Sequence, residues 1–522
     1  MNLLVSCSEA VSDSKRGAAP VQRLCDALPL VAISAYLFFN LFTLRGIPYY
    51  LVSDDGLFAL DALRMGAGRW IYRDFFQFNA PGIDCVFYFA FKLFGTRAWV
   101  PNLVILLLGV ALSWLTLNLS RRIMSRPWAD LTAVLFAVFI YGRDLVATHH
   151  WFSLFVILLA IRLLLTDRSL ARTAMAGALI GLATFFTQTA GAAAWFVFAI
   201  ALFYDREPVA SRYAMLRKQA SLLLSAALIW FLLSASTLWH VGWRTLWYFQ
   251  VIFPQRYELR EDKNPIRVFL SAFPHAVSIL TVEQVIFYLL LISVTPVVLC
   301  VLLWKRRRTE PHRDDTPIFL LAAVGLLLMV EVITRRTWTR LYADFLPSLI
   351  LLCAALARAL PARPRLSRIL IAALWSATIL SAIRQTMFNR AAYSDIAALP
   401  AGKIALQPQD AEELRFLAKL THPGEPFFQA YGFSLYYPLG LSSPVYMDYL
   451  RMSALSRPEF LLNAIQALDK NHVRYITLFP ADDPITNPAR KHYLDPLYSW
   501  VESHYTRIHR FSNHEELWEL RQ

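Results

Sequence analysis

Two adjacent carboxylates, Asp54 and Asp55, stand in "VSDDGLFALDALRMGAGRWIYRDFFQFNAPG" (52–82), directly after the first long apolar run of a 522-residue chain. Asp61 and Asp74 follow, and the stretch closes on Pro81-Gly82. Ser53 has the side chain of a helix N-cap, and acids in the first turn suit the helix dipole. Capping needs only one of them. A carboxylate at a water–lipid boundary has a second use: it accepts the proton of an incoming hydroxyl while a phosphate leaves on the opposite side. A basic cluster suits such a leaving group. Arg335, Arg336 and Arg340 fall within "TRRTWTRLYADFLP" (334–347), and guanidinium groups bind phosphate oxygens in a planar fork. Trp338 and Tyr342 beside them can pack a prenyl chain or a sugar ring, although aromatics are common at any membrane interface.

The elements that position these groups follow from composition. The chain is 57% hydrophobic and 17% charged, where a soluble globular chain is nearer a quarter charged. It is therefore a polytopic membrane protein. Five cysteines are scattered without metal-ligand or disulfide spacing, which argues against a catalytic thiol or a zinc cluster. Residues 1–27 form a polar cytoplasmic tail, and the apolar run behind it reads as a retained signal-anchor.

Apolar runs long enough to cross a bilayer lie near 28–46, 99–119, 129–147, 151–167, 171–188, 190–204, 219–240, 283–304, 317–334, 342–360 and 366–386. The expected fold is thus a polytopic α-helical membrane domain over 28–387, with about 11 transmembrane helices plus interfacial helices. "GIDCVFYFAFKLFG" (82–95) is short and carries Asp84 and Lys92, which suits an interfacial or re-entrant helix. If it does not cross, the loops "SRRIMSR", "TDRSLAR", "DREPVASRYAMLRK", "WKRRRTEPHR" and "RALPARPRLSR" all fall on one side, which is the cytoplasmic one. Most of the net charge of +14 is then topology signal, and no nucleic-acid partner is implied. The outer side holds the first outer loop (46–98), the arginine turn, and a tail over 388–522. In that tail "DAEELRFLAKL" and "PEFLLNAIQALDKN" have helical periodicity, while "EPFFQAYG", "VRYITLFP" and "YTRIHRF" read as strands, giving a small C-terminal α/β extracytoplasmic domain.

Several of these pieces occur in a recognisable order. The acid pair Asp54-Asp55 after the first span, Gly68 through Tyr72-Arg73-Asp74, Pro81-Gly82, and Leu93-Phe94-Gly95 before the second span together resemble the GT-C superfamily of integral-membrane glycosyltransferases. The pattern looks like that of protein O-mannosyltransferases and bacterial lipid A aminoarabinose transferases, and "RLYADFLPSLILL" resembles the Tyr-x-x-x-x-Pro element opening a late span in them. The resemblance covers about residues 28–386. It implies inverting transfer of a sugar from a polyprenyl-phosphate carrier to an acceptor hydroxyl on the outer face. Asp54, the first acid of the pair, would be the base. Asp55 stands where the family often has Glu, so the choice between Asp54 and Asp55 stays open, with Asp54 favoured. Asp74 either orients the first loop or binds the sugar. Family members usually place a second polar site on the outer loop between the third and fourth spans. Here that loop is "YGRDLVATHHWF", which makes Asp144, His149 and His150 candidates for sugar or acceptor contacts.

Neighbouring side chains diverge on a helix, so the His pair alone does not make a metal site. The resemblance implies no obligatory metal, and a divalent cation is the one cofactor the residues leave open. "FPQRYELREDKNP" (253–265) reads as a solvated loop, and in the family flexible loops at this position order over bound substrate. Arg256 is therefore a secondary phosphate-binding candidate and Tyr257 a further one. The expected partners are a polyprenyl-phosphate-linked sugar, an acceptor lipid, glycan or protein of the cell envelope, and membrane lipids. The single Asn-x-Ser/Thr site, Asn118-Leu119-Ser120, lies at the cytoplasmic edge, which favours a bacterial inner membrane with the active site and tail in the periplasm. Two other readings compete. A flippase or transporter of lipid-linked glycans predicts charge at mid-membrane and repeat symmetry, and neither is visible. A non-catalytic scaffold with a binding tail predicts that Asp54 is dispensable.

Overall fold

The computed structural model of the protein describes residues 18–51, 54–204, 212–258, 282–308, 315–334, 341–361, 364–450, 456–483 and 492–521. The first described helix is α1 (Ala18–Leu41), followed by two helices of the loop at 46–98, α2 (Asp55–Gly66) and α3 (Gly82–Phe94). A helical bundle follows: α4 (Val100–Ile123), α5 (Arg126–Leu135), α6 (His149–Leu164), α7 (Leu170–Phe186), α8 (Gln188–Tyr204) and α9 (Arg212–Val241). A short helix, α10 (Trp243–Trp247), precedes α11 (Val282–Arg308), α12 (Thr316–Thr334), α13 (Leu341–Ala359) and α14 (Pro364–Ala392). Every apolar run named from the sequence is helical over most of its length. Among the described residues three helices, Val100–Ile123, Tyr213–Val241 and Pro364–Ala392, are long and apolar enough to cross a membrane, and seven further apolar helical stretches cover 10–17 residues each.

The run at 129–147 is not one α-helix. After α5 the backbone widens into a π-helical turn, Phe136–Ile140, and then tightens into a 3-10 turn, Tyr141–Arg143. Such changes of pitch rotate and re-aim a chain. Here the buried Tyr141 hydroxyl donates to the Ile105 carbonyl of α4 (2.6 Å), and the chain leaves the bundle before His149.

The tail begins where α14 ends, with no break at residue 387. The antiparallel pair β1 (Asp395–Leu399) and β2 (Gly402–Leu406) is followed by α15 (Pro408–Leu420), β3 (Phe427–Gln429), α16 (Tyr436–Leu439), α17 (Pro458–Lys470), β4 (Tyr475–Leu478), α18 (Asp495–His504), β5 (Tyr505–Arg510) and β6 (Glu516–Leu520). The second sheet has the order β3-β4-β6-β5, in which β3 and β4 are parallel and the other pairs antiparallel. The strands at 427–429, 475–478 and 505–510 lie where the sequence places them. The elements β1, β2, β6 and α18 were not expected.

Main-chain hydrogen bonds join the tail to the loop at 46–98. Tyr50 N–H donates to the Ala405 carbonyl (2.8 Å), Ala98 N–H to that of Ala401 (2.8 Å), and Phe76 N–H to that of Tyr446 (2.7 Å). An open sheet edge or loop presents such groups, and burying them requires a partner. The tail supplies it.

Candidate active site

The site is built where α2 begins. Asp54 is the N-cap residue of α2, is exposed, and makes no capping hydrogen bond with its side chain. Ser53, the N-cap named from the sequence, lies outside the described residues. Asp55 is buried, and its Oδ1 accepts the N–H of Ala147 (2.9 Å). That bond draws in the loop behind the 3-10 turn, which carries Asp144. Three carboxyl groups on two loops therefore repel one another across a short gap. Burial, then the charges of Asp54 and Asp144, holds the Asp55 carboxyl well above its usual range. Burial and the Asp54 charge push Asp144 up to about 6. Behind Asp55 is a cavity of about 40 Å³, lined in part by Tyr49, Tyr50, Asn102, Ser434 and Tyr437. It has room for water-sized molecules and none for a sugar ring.

His149 opens α6 and is buried with its ring edge-on to Phe58 of α2 (centroids 6.2 Å, 82°). The His149 and His150 rings do not diverge as helical neighbours were expected to. Their centroids are 4.1 Å apart with planes inclined at 36°. Both residues occupy the first turn, where the chain enters the helix from an extended Thr148. Among the described residues no three His, Cys, Asp or Glu side chains are arranged to hold a metal ion.

The remaining residues named from the sequence fall elsewhere. Asp74 closes its own turn: Oδ2 accepts the Trp70 N–H (2.7 Å), and both oxygens pair with Arg73 (2.8 Å each). The Arg73 contact holds its carboxyl below the usual range. Its role in the geometry is to shape the loop. Tyr72, in the same unit, is buried with φ +68, a conformation that costs a non-glycine residue about 1–3 kcal/mol unless its surroundings enforce it. They do so here. The Tyr72 hydroxyl donates to the Asn79 carbonyl (2.5 Å) and accepts from Gln250 (2.9 Å), and the Tyr72 carbonyl accepts from Tyr446 (2.8 Å). Gly82 is required by close approach, since a Cβ there would stand 2.7 Å from the Phe185 carbonyl oxygen. Gly95, at φ +73, ends α3 in a conformation that favours glycine.

Arg256 is exposed on a π-helical turn, Pro254–Glu258, beside Tyr257, whose ring lies under the Arg457 guanidinium (4.1 Å). Arg335, Arg336 and Arg340 lie outside the described residues, and Tyr342 is described only as part of α13. The geometry thus brings together Asp54, Asp55, Asp144, His149 and His150, and gives Asp74 a separate turn.

A buried network that the sequence reading passed over supports this site. Arg64 of α2 pairs with Asp448 of the tail (2.5 Å) and with Asp61 (3.6 Å), and donates to the Val445 carbonyl (3.1 Å). Gln77 donates to Asp61 (3.0 Å). Asp84 of α3 is fully buried against Asp61, and burial followed by that neighbour holds its carboxyl well above the usual range. The i, i+3 spacing of Asp61 and Arg64 was visible in the sequence. Nothing local marked Asp448.

No protein-family model and no curated protein matches the chain. Solved structures do. ArnT from Cupriavidus metallidurans, in a crystal structure bound to undecaprenyl phosphate, superimposes with a TM-score of 0.56 at 14% identity, over 96% of this chain and 98% of that one. The arabinofuranosyltransferase AftD from mycobacteria superimposes with a TM-score of 0.52 at 17% identity, over 96% of this chain and 40% of its own much longer one. The chain shares the overall fold of these two structures. The match to ArnT extends over the tail as well as the helices.

Proposed function

We propose that this chain is an inverting glycosyltransferase of the outer face of a bacterial inner membrane. Its donor is a sugar on a polyprenyl-phosphate carrier, and its acceptor is a hydroxyl of a cell-envelope glycan, lipid or protein. In this reading the chain crosses the membrane about 11 times, α3 lies in the interface, and residues 388–522 form a periplasmic unit braced on the first outer loop. The observation that carries the reading is the pairing of one exposed and one buried acid at the start of α2, on a GT-C fold.

Asp54 is the base because it is the accessible member of the pair. The acceptor O–H gives its proton to the Asp54 carboxylate, the acceptor oxygen forms a bond to the anomeric carbon, and the carbon–oxygen bond to the carrier phosphate breaks on the opposite face. Asp55 positions: its bond to Ala147 ties the Asp144 loop to α2. Asp144, His149 and His150 contact sugar or acceptor. The carrier phosphate is gripped by Arg335, Arg336 and Arg340, with Arg256 as a further phosphate ligand, and Tyr342 packs the prenyl chain or the sugar ring. Bound phosphate and its counter-charges supply the electrostatics of the step.

The test is mass spectrometry of lipid-linked sugars and surface glycans in cells lacking this gene, complemented with wild type or Asp54→Asn. The reading expects the empty strain and Asp54→Asn to accumulate the same polyprenyl-phosphate sugar and to lose the same modification. Full complementation by Asp54→Asn would remove Asp54 from the mechanism and favour the scaffold reading.

A further inference from the structure

Asp84 takes no part in the step proposed above. It stands in the first turn of α3, fully buried between Ile83 and Phe87, which are equally buried. Among the described residues no N–H or hydroxyl donor reaches either of its carboxyl oxygens. An acid in a first turn suits the helix dipole only when it is ionised. A buried carboxylate without donors or a counter-charge is strongly disfavoured. The group therefore keeps its proton, and a buried carboxylic acid O–H needs an acceptor.

That acceptor is Asp61 of α2, the neighbour that acts most strongly on Asp84, by its charge and by a hydrogen bond between the two carboxyls. Asp61 has an oxygen to spare. Its Oδ2 accepts from Gln77 (3.0 Å), while Oδ1 has no hydrogen-bond donor, Arg64 Nη1 being 3.6 Å away. Burial pushes the Asp61 carboxyl up to about 7, with Arg64 pulling it down and Asp448 adding to the rise. Two carboxyls in contact in a dry place share a proton rather than ionise together. Of the other titratable groups around them, Tyr72 and Cys85 keep their own protons through burial, and Arg69 is engaged with the Ser443 carbonyl (2.8 Å).

The pair joins two helices that are anchored on different bodies. α3 is set against α7, since a Cβ on Gly82 would stand 2.7 Å from the Phe185 carbonyl oxygen. α2 is set against the tail by Arg64 and Asp448. Asp54 precedes Asp61 by about two helical turns, so a shift of α2 at Asp61 is carried along the rigid helix to Asp54. Resting on the transferase reading above, we propose that Asp84 is a positioning residue: its carboxylic acid O–H donates to Asp61, and this bond sets α2, and with it Asp54, against α3. An amide at residue 84 can donate in the same way. An ionised Asp84 cannot, and neither can an alanine.

The experiment is infrared difference spectroscopy on the full-length protein in nanodiscs at neutral pH, wild type minus Asp84→Asn, with hydrogen exchange and polyprenyl-phosphate release measured on each variant. The proposal expects a protonated-carboxyl C=O band in the difference spectrum, shifted in deuterated water. Asp84→Asn should release polyprenyl phosphate within about threefold of the wild-type rate, and Asp84→Ala about tenfold or more slowly, as loss of a hydrogen bond to a charged partner implies. Exchange of the Arg64 amide on α2 should rise by a similar factor in Asp84→Ala and stay near wild type in Asp84→Asn. A difference spectrum without the band, an Asp84→Asn that misfolds or is as impaired as Asp84→Ala, or an Asp84→Ala with wild-type release would overturn the proposal. If Asp84→Ala does not fold, the band and the behaviour of Asp84→Asn still decide. The two readings fail separately. No polyprenyl-phosphate release by any form of the protein sinks the transferase reading and leaves the band and the exchange pattern standing. Release that depends on Asp54, without the band, sinks the positioning role alone.

Discussion

Replacing Asp448 by Ala should release the tail from the loop at 46–98. Asp448 is buried and lies 2.5 Å from Arg64, itself 5% exposed, while Asp61, the other anion paired with Arg64 among the described residues, is 3.6 Å away. At an effective dielectric of about 20 the gross attractions are roughly 7 kcal/mol for Asp448 and 5 kcal/mol for Asp61. Desolvation of three buried ions offsets much of both. Removing one partner of a buried pair nevertheless costs about 3–5 kcal/mol, because the remaining charge is stranded. The reporter is the Phe76 amide, bonded to the Tyr446 carbonyl across the same junction. Hydrogen exchange there should speed up by roughly two to three orders of magnitude in Asp448→Ala. The double variant Arg64→Met/Asp448→Leu, which strands no charge, should recover most of the protection. Less than a fivefold change in the single variant, or a double variant as unprotected as the single, would refute the view that this ion pair clamps the tail.

Three further outcomes follow from the same geometry. Gly82→Ala drives a Cβ into the Phe185 carbonyl oxygen at 2.7 Å and should lower stability by about 1–3 kcal/mol in a denaturation series, as overpacking does. Tyr72→Phe removes the bonds to Asn79 and Gln250 and should cost about 1–3 kcal/mol by the same assay, because two partners are left unsatisfied in a buried place. Asp144 holds its proton up to about 6 in the folded chain, from an ordinary value of 3.8. The folded state therefore binds the extra proton between those values, and stability falls as pH rises through that window. Asp144→Asn should be more stable than wild type at pH 7.5, on the order of 2 kcal/mol, with the difference gone below pH 4. An equal offset at both pH values would contradict the assigned cause.

The helices were legible because a bilayer demands about 20 apolar residues per crossing, and that demand is written in consecutive residues. The acid pair was legible for a related reason: charge directly after an apolar run has few structural explanations. For Asp74 the sequence left two roles open, orienting the first loop or binding the sugar, because the bond it accepts from the Trp70 N–H depends on a backbone turn that spacing does not reveal. The π-helical turn at 136–140 had no signal, since its cause is the reach of Tyr141 to a carbonyl on α4. The tail was the least readable part. Strands as short as β3, and partners as distant in sequence as Arg64 and Asp448 or Gly56 and Phe433, are fixed by tertiary contacts and leave no periodicity.

The most direct test of the central claim uses lipid-linked sugar extracted from the deletion strain as donor and purified protein in nanodiscs as enzyme. The quantity measured is the rate of polyprenyl-phosphate release in the presence of cell-envelope acceptor. With Asp54 as the base, Asp54→Asn should slow release by roughly 10²- to 10⁴-fold with an unchanged thermal transition, and Asp55→Asn should slow it while also loosening the Ala147 contact. Release by Asp54→Asn within a few-fold of wild type would contradict the account.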